Sequence, residues 1–201
     1  MVAIIDYDAG NVMSVLRACE AVGADAVISK DADVVSHASH VILPGQGAFG
    51  DAMEHIGDAG LISAISDVIT SGTPFLGICL GLQLLFDSSE ESPGAAGLKL
   101  ISGRIKRIPD TGLKIPHVGW NSLSLSGDGR MFKDIPDESY VYFVHSYYLE
   151  AEDKGVVKAV THYGTDIHAA VERDNIFAVQ FHPEKSSETG LKMLSNFLEI
   201  R

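Results

Sequence analysis

The sequence predicts an α/β fold, a mostly parallel sheet with helices on both faces and an antiparallel strand extension. Short continuous apolar runs alternate with segments of helical periodicity over the first half of the chain. This alternation is typical of parallel strands that are buried on both faces. From about Lys99 onward, strand-like segments follow one another with short turns, which indicates antiparallel strands at one side of the sheet.

The first half divides into strands and helices in order. Val2–Ile5 is an apolar run that predicts a buried strand. After the turn-like residues 8–11, apolar side chains recur at helical spacing from an N-cap at Asn11 to a stop at Gly23. Further elements are strands at 26–28 and 40–43, a helix over 61–69 ended by Gly72, and a strand at 73–78 that runs into Cys79 and an apolar helix through Phe86.

The second half is predicted as strands and one closing helix, which places Leu191, Leu194 and Phe197 on its inner face. The predicted strands are 103–108, 140–144, 156–162, 168–172 and 178–181, and the helix is 187–200. Since neither repeats nor a low-complexity linker interrupt the chain, residues 1–201 are expected to form a single domain.

Composition limits the classes of function. The chain has 15 Lys and Arg against 27 Asp and Glu, and the net charge of −12 disfavours nucleic acid as a partner. No apolar run is long enough for a membrane span, and the N-terminus lacks the basic start of a signal peptide. Cys19 and Cys79 are too few for a disulfide framework. We therefore expect a cytoplasmic protein with no cofactor and no metal.

The residues around Cys79 carry the sharpest indication of chemistry. Gly77 and Gly81 flank this potential nucleophile at a predicted strand-to-helix junction, where glycines allow the sharp turn that exposes a side chain. The dipole of the following helix favours a thiolate, and the N–H of Leu80 is a candidate oxyanion donor. A structural cysteine between two packing glycines explains these residues equally well on their own.

A second motif, His182-Pro183-Glu184, offers a base for the cysteine. Pro183 fixes the intervening backbone, and the Glu184 carboxylate can hold the imidazole by its other nitrogen. Alone, the motif is typical of a strand-end histidine beside a solvated glutamate. Together with Cys79, it predicts a nucleophile, a base and an orienting carboxylate in one site.

A third motif follows the strand predicted at 40–43. The loop formed by Gly45, Gln46 and Gly47 lies at the carboxyl end of a strand, where ligands of parallel sheets bind. Its glycines can bring backbone N–H groups close to a reacting carbonyl, which makes it a candidate second oxyanion donor. The alternative is an ordinary loop between a strand and a helix.

These motifs resemble those of the class I (triad) glutamine amidotransferases. Four longer segments are similar to the glutaminase subunits of imidazole glycerol phosphate synthases. They are PGQGAFGDAM at 44–53, PHVGWN at 116–121, YFVHSYY at 142–148 and QFHPEKSS at 180–187. The resemblance extends from Ile5 to the last helix, and it implies the fold of the class I amidotransferases.

The resemblance implies that the chain hydrolyses glutamine to glutamate and ammonia. Cys79 would attack the side-chain amide, while His182 relays protons and Glu184 orients it. An oxyanion hole would form from Leu80 and the loop of Gly45, Gln46 and Gly47, which is reported to rearrange in this family. The positions that hold glutamine in the family are Gln83, Glu91, Ser146 and Tyr147.

The resemblance also implies a partner. In the family, ammonia passes to a cyclase subunit, a (β/α)8 barrel, which makes imidazole glycerol phosphate and aminoimidazole carboxamide ribotide in histidine biosynthesis. Trp120, Tyr142 and Lys185 match positions that face this subunit in the heterodimer. Three alternatives stay open, namely a glutaminase of another synthase such as that of the anthranilate pathway, a catalytically silent regulatory subunit, and a cysteine hydrolase of esters or peptides.

Overall fold

A computed structural model of the chain describes residues 1–8 and 10–201; Ala9, in the turn predicted at 8–11, lies outside the described residues. The α-helices are α1 (Val12–Ala21), α2 (Ala32–Ser36), α3 (Phe49–Asp58), α4 (Leu61–Thr70), α5 (Leu80–Gln83) and α6 (Ser187–Leu198). The strands are β1 (Val2–Ile5), β2 (Ala26–Ser29), β3 (His40–Leu43), β4 (Phe75–Ile78), β5 (Ser88–Ser89), β6 (Gly103–Arg107), β7 (His117–Ser122), β8 (Ser124–Leu125), β9 (Tyr140–His145), β10 (Tyr147–Ala151), β11 (Val157–His162), β12 (Asp166–Arg173) and β13 (Ile176–Val179). Short 3-10 helices span Arg130–Phe132, Lys154–Val156 and Pro183–Lys185.

The main sheet has eight strands in the order β2-β1-β3-β4-β13-β12-β11-β8. The strands from β2 to β13 in this order run parallel, whereas β12, β11 and β8 continue the sheet in antiparallel pairing. Two smaller sheets, β10-β6-β5 and β7-β9, complete the fold. The predicted fold class is therefore confirmed.

Both faces of the parallel strands are buried, because helices cover each face. Successive side chains of a strand point to opposite faces, so neighbouring residues belong to different core clusters. On β1, Ala3 and Ile5 belong to a core cluster that contains the apolar faces of α2, α3 and α4. Val2 and Ile4 belong to the opposite cluster, which contains the apolar faces of α1 and α6. In the described part of the chain, no helix is long and apolar enough to cross a membrane.

Several element boundaries agree with the local signals in the sequence. The side chain of Asn11 caps α1 by accepting a hydrogen bond of 3.3 Å from the N–H of Ser14. Gly23 and Gly72 have φ values of 83° and 80°, in the left-handed region that ends a helix and favours glycine.

The helix predicted from Cys79 through Phe86 is shorter than expected, because α5 ends at Gln83. The carbonyls of Leu84 and Leu85 accept hydrogen bonds of 2.8 Å from the N–H groups of Leu98 and Leu100, respectively. A segment that returns from later in the chain thus occupies the groups that a further helical turn would use. That pairing is between residues distant in sequence, so periodicity did not reveal it.

The strand predictions of the second half need two corrections. The segments 103–108 and 140–144 correspond to β6 and β9, which belong to the small sheets and not to the main one. The segment 178–181 overlaps β13, which pairs parallel with β4 on one side and antiparallel with β12 on the other. β13 is thus the junction between the two halves of the sheet. The elements that lie outside the predicted segments are α2, α3, β5, β7, β8 and β10.

Candidate active site

Cys79 lies at a strained turn between β4 and α5. Its φ and ψ are 56° and −107°, a conformation that a residue with a side chain adopts only at a cost of about 1–3 kcal/mol. The turn is held because the N–H of Cys79 donates to the carbonyl of Val179 at 2.8 Å, and its carbonyl accepts from the N–H of Leu82 at 3.1 Å. Strain of this kind is typical of a nucleophile elbow.

Gly77 and Gly81 are required for a reason that differs from the predicted one. Neither has a positive φ; the positive φ of this turn belongs to Cys79 itself. A Cβ atom on Gly77 would lie 2.7 Å from the carbonyl oxygen of Gly81, and one on Gly81 would lie 1.9 Å from that of Leu43. The two glycines therefore allow β4, α5 and the end of β3 to approach backbone to backbone.

His182 and Glu184 meet as the sequence predicts. The imidazole Nδ1 lies 2.8 Å from the carboxylate Oε1, and the two side chains are only 8% and 2% exposed. The hydroxyl of Ser186 donates to the carbonyl of His182 at 2.6 Å, and Gly190 of α6 leaves room for the carbonyl of Pro183. Since Nδ1 is bonded to the carboxylate, Nε2 is the nitrogen left for proton transfer at the cavity.

The pKa of His182 is raised from its ordinary value of 6.5 to about 9. Burial alone lowers this pKa, but the neighbouring Cys79 sulfur and the Glu184 carboxylate favour the imidazolium and outweigh burial. The stabilisation that the protonated ring gives to the fold is therefore complete below about pH 6.5 and is lost as the pH rises through about 9.

Replacement of Glu184 by Gln should lower the pKa of His182 by about one to two units. The amide can still accept a hydrogen bond from Nδ1, but it no longer stabilises the positive charge of the ring. A pH titration of the His182 ring resonances by NMR measures the change. Glu188→Gln is the matched control, because Glu188 is an exposed glutamate in the first turn of α6. Equal pKa values in the two variants would contradict the assigned role of Glu184.

Cys79 and His182 open into one cavity of about 320 Å³. The cavity brings together residues from all four predicted groups, namely the catalytic, oxyanion, glutamine-binding and partner-interface residues. Those of the predicted residues that line it are Gln46, Gly47, Cys79, Leu80, Gln83, Glu91, Ser146, Tyr147, His182 and Lys185. Gly45 and Glu184 lie behind its wall, the first against Leu80 and the second against His182. Pro116, Val144 and His145 complete the lining and were not predicted as site residues.

The loop that carries Gln46 and Gly47 lies against the start of α5. A Cβ atom on Gly45 would be 2.9 Å from that of Leu80 and 2.3 Å from the hydroxyl of Tyr7, so only glycine fits there. The N–H groups of Gln46 and Gly47 make no backbone hydrogen bond with any other described residue. Leu80 is the first residue of α5, so its N–H has no partner within the helix. Among the described residues, these N–H groups therefore have no backbone acceptor.

Gln83 and Glu91 present unused acceptor atoms to the cavity. Both hydrogens of the Gln83 amide are occupied, since Nε2 donates to the carbonyl of Tyr147 at 3.0 Å and to Oε1 of Gln180 at 3.1 Å. The Oε2 atom of Glu91 accepts from the N–H of Phe49 at 2.8 Å, where it caps α3. The remaining oxygens, Oε1 of each side chain, are suited to an ammonium group.

The sequence reasoning did not assign a buried pair of histidines next to the cavity. His145 Nδ1 lies 2.9 Å from the carbonyl of Tyr147, and His117 Nδ1 lies 3.1 Å from His145 Nε2. Burial lowers the pKa of His145 to about 3 and that of His117 to about 4. Both rings are therefore neutral at physiological pH. The motifs at 116–121 and 142–148 contain both residues, but nothing local indicated that they meet.

The predicted interface residues lie at the outer side of the β7-β9 pair and at the cavity mouth. Trp120 and Tyr142 are opposite each other in the register, with ring centroids 6.1 Å apart, and Trp120 is 50% exposed. Lys185 is exposed and lines the cavity that contains Cys79. The carbonyl of Tyr142 accepts a hydrogen bond of 2.9 Å from the N–H of His182. This surface is therefore connected directly to the backbone of His182.

The fold and site define a class of protein, and comparison with known families agrees. The profile of the family "Glutamine amidotransferase class-I" matches residues 3–200, and the chain belongs to this family. The solved structure of a glutamine amidotransferase aligns over 99% of this chain and 98% of its own chain, with a TM-score of 0.77 and 18% identity. The structure of PurLQS from Thermotoga maritima has a TM-score of 0.74 and 20% identity, covering 98% of this chain and 96% of its own. At such identities these structures show the fold alone.

Curated relatives define the group within the family. The chain is 51% identical over 200 residues to the imidazole glycerol phosphate synthase subunit HisH of Methanothermobacter thermautotrophicus. The alignment covers 100% of this chain and 98% of the relative. It is 47% identical over 199 residues to the subunit HisH of Moorella thermoacetica, and this alignment covers 99% of this chain and 94% of the relative. The chain groups with these HisH subunits along its whole length.

Proposed function

We propose that this chain is the glutaminase subunit of an imidazole glycerol phosphate synthase. It hydrolyses L-glutamine to glutamate and ammonia, and a cyclase subunit uses the ammonia to make imidazole glycerol phosphate and aminoimidazole carboxamide ribotide in histidine biosynthesis. The shared name of the curated relatives supports this synthase over one of the anthranilate pathway. The intact Cys79, His182 and Glu184 speak against a silent regulatory subunit.

One observation carries the proposal, namely that a cysteine in a strained turn and a histidine held by a buried carboxylate open into the same cavity. The cavity volume of about 320 Å³ is at the lower limit of small-molecule sites and suits a single amino acid. Free acceptors of Gln83 and Glu91 would receive the ammonium group of glutamine. Ser146 and Tyr147, which also line the cavity, would contact the rest of its backbone.

The first half of the reaction forms a thioester. The Cys79 thiolate attacks the side-chain amide carbon of glutamine, and the carbonyl oxygen becomes an oxyanion. The N–H of Leu80 and an N–H of the Gln46–Gly47 peptide region would stabilise that oxyanion. The imidazolium of His182 then gives its Nε2 proton to the nitrogen, the C–N bond breaks, and ammonia leaves.

The second half releases glutamate. His182, now neutral, takes a proton from a water molecule, and the resulting hydroxide attacks the thioester carbon. The C–S bond breaks, the Cys79 thiolate leaves, and the imidazolium is restored. The Cys79 sulfur helps to raise the pKa of His182 to about 9, so the ring holds its proton at neutral pH until the leaving group needs it. Thioester formation removes the negative charge from the sulfur, and the neutral ring can then act as the base for water.

A partner subunit accounts for the exposed aromatic surface beside the site. Free ammonia is mostly protonated at neutral pH and is then not nucleophilic, so a direct transfer preserves its reactivity. Trp120, Tyr142 and Lys185 would contact the cyclase subunit, a (β/α)8 barrel, in a heterodimer. The hydrogen bond from His182 to the Tyr142 carbonyl offers a short mechanical route from that contact to the catalytic base.

Replacement of Trp120 by Ala should weaken binding of the cyclase subunit by at least about tenfold, because a half-exposed Trp is a typical interface hot spot. The thermal stability of the free chain should change little. Isothermal titration calorimetry with the cyclase subunit measures the affinity. Ile62→Ala is a matched control, since Ile62 is 47% exposed and lies on α4. Equal affinities for the two variants would remove Trp120 from the interface.

We infer that residues 1–201 work as one glutamine amidotransferase type-1 domain in the cytoplasm. The two core clusters lie on opposite faces of one main sheet, which supports a single folding unit. Cys19 and Cys79 are both free thiols, which suits a reducing compartment.

Measurement of glutamate release tests the proposed function. The purified chain is incubated with glutamine, first alone and then with the cyclase subunit and its nucleotide ligand. We expect release that the partner and ligand increase. An absence of release under both conditions, with the partner bound normally, would contradict an enzymatic role and leave a binding subunit.

A further inference from the structure

We propose that Gln180 is a further catalytic residue, whose side-chain amide stabilises the thiolate of Cys79. The inference rests on the proposed function, since it names an additional group at the same nucleophile. Gln180 directly follows β13 and is completely buried. Its Nε2 lies 3.7 Å from the sulfur of Cys79, within hydrogen-bonding distance for a sulfur acceptor.

The direction of the hydrogen bond between Gln180 and Cys79 follows from a series of hydrogen bonds, the first of which is accepted by a backbone carbonyl. The carbonyl of Tyr147 can only accept, so the side-chain atom of Gln83 that faces it must be the NH2 group. The second hydrogen of that group points to Gln180, whose facing atom must then be the oxygen. The NH2 group of Gln180 is thereby turned toward the sulfur of Cys79.

The buried histidines support the same arrangement. The Tyr147 carbonyl receives its second hydrogen bond from Nδ1 of His145, which must therefore carry the proton there. Nε2 of His145 is then an acceptor and receives the Nδ1 proton of His117. A flipped Gln83 amide would set its oxygen against the oxygen of the Tyr147 carbonyl, so the donor orientation of Gln83 is fixed. The network from His117 to Gln180 thus has one consistent set of donors and acceptors.

Several titratable groups face the sulfur or its cavity, and Gln180 differs from all of them. They are Tyr7 after β1, Glu91 after β5, His145 on β9, Tyr147 on β10, and His182 and Lys185 after β13, with Glu184 behind His182. His182 favours the thiolate only while it is protonated, and it must give up that proton during the reaction. The Gln180 amide does not titrate, so it stabilises negative charge on the sulfur whenever the thiolate is present, before attack and again as the thioester breaks.

The test is the pH dependence of Cys79 alkylation by iodoacetamide in the full chain. A hydrogen bond to a charged group favours that form by about ten- to a hundredfold. Gln180→Met, an apolar replacement of similar size, should therefore raise the pH midpoint of alkylation by about one to two units and lower the glutaminase kcat by a comparable factor. Gln180→Asn, which withdraws the amide from the sulfur, should raise the midpoint in the same direction. Alkylation requires no glutamine, so this readout does not depend on the proposed enzymatic activity.

Asn196→Leu is the matched control for loss of a buried amide. Asn196 on α6 donates from Nδ2 to the carbonyls of Met131 and Lys133 and does not line the cavity, so its replacement should affect stability without moving the midpoint. An unchanged midpoint in both Gln180 variants, or an equal shift in Asn196→Leu, would overturn the proposal.

A measurement on the wild-type chain covers the case in which the variants do not fold. The side-chain amide proton resonances of Gln180 should shift as Cys79 ionises, and they should not show this transition in Cys79→Ala. Amide resonances that are insensitive to the ionisation of Cys79 would overturn the proposal independently of any substitution at Gln180.

Discussion

Cys79→Ala should abolish glutamate release, with a loss of at least about 10⁴-fold in kcat, because alanine cannot form the thioester. The fold should persist, since the Cβ atom and the backbone of the turn are retained. Ammonia supplied directly to the complex with the cyclase subunit should restore formation of imidazole glycerol phosphate. Coupled measurement of glutamate and of the cyclase product separates the two activities. Failure of the ammonia rescue would assign the defect to structure.

The second cysteine of the chain provides the control. Cys19 is fully buried on α1, and burial together with the nearby Glu184 raises the pKa of its thiol to about 11. Cys19→Ala should therefore keep its glutaminase activity and lose a modest amount of stability from the small cavity that it leaves. Release of glutamate by Cys79→Ala at the wild-type rate would remove Cys79 from the mechanism.

Gly81→Ala should unfold the site and lower the melting temperature by at least about 6–12 °C, which corresponds to a loss of about 3 kcal/mol or more in a chain of this length. The added Cβ would lie 1.9 Å from the carbonyl oxygen of Leu43 and 2.9 Å from its carbon. These are backbone atoms at the end of β3 and cannot move aside as a flexible side chain can. Circular dichroism on heating measures the change.

Gly57→Ala is the control for the general effect of an alanine at a glycine. Gly57 lies in α3, and a Cβ atom there would contact only the end of Ile62, at 3.9 Å. Since alanine is the better helix former, this variant should melt at the wild-type temperature or slightly above it. A melting temperature for Gly81→Ala close to that of Gly57→Ala would show that the approach of α5 to β3 is not required.

Much of the site could be read from short stretches of sequence. Cys79 between two glycines and His182 two residues before Glu184 are local patterns, and the parallel strands on which they lie have continuous apolar runs. Because the carboxyl ends of parallel strands share one edge of the sheet, the motifs could be expected to meet. The structure places them together in one cavity.

The missing parts share one property, which is dependence on partners far away in the chain. The strand β7 begins after a loop and is stabilised by pairing with β9, and α3 begins where Glu91 caps it from 42 residues away. Gln180 was visible in the QFHPEKSS segment, but its contact with Cys79 spans 101 residues. No local periodicity reports such contacts.

The sequence by itself determined the fold class and indicated a candidate nucleophile with the residues paired with it, because each pattern lies in neighbouring residues or in a repeating apolar run. Only the tertiary structure decided why the glycines around Cys79 are required, which atoms of Gln83 remain free, and how a buried network turns Gln180 toward the sulfur. Those features arise where separate strands approach, and the direction of each hydrogen bond there depends on all of its neighbours at once.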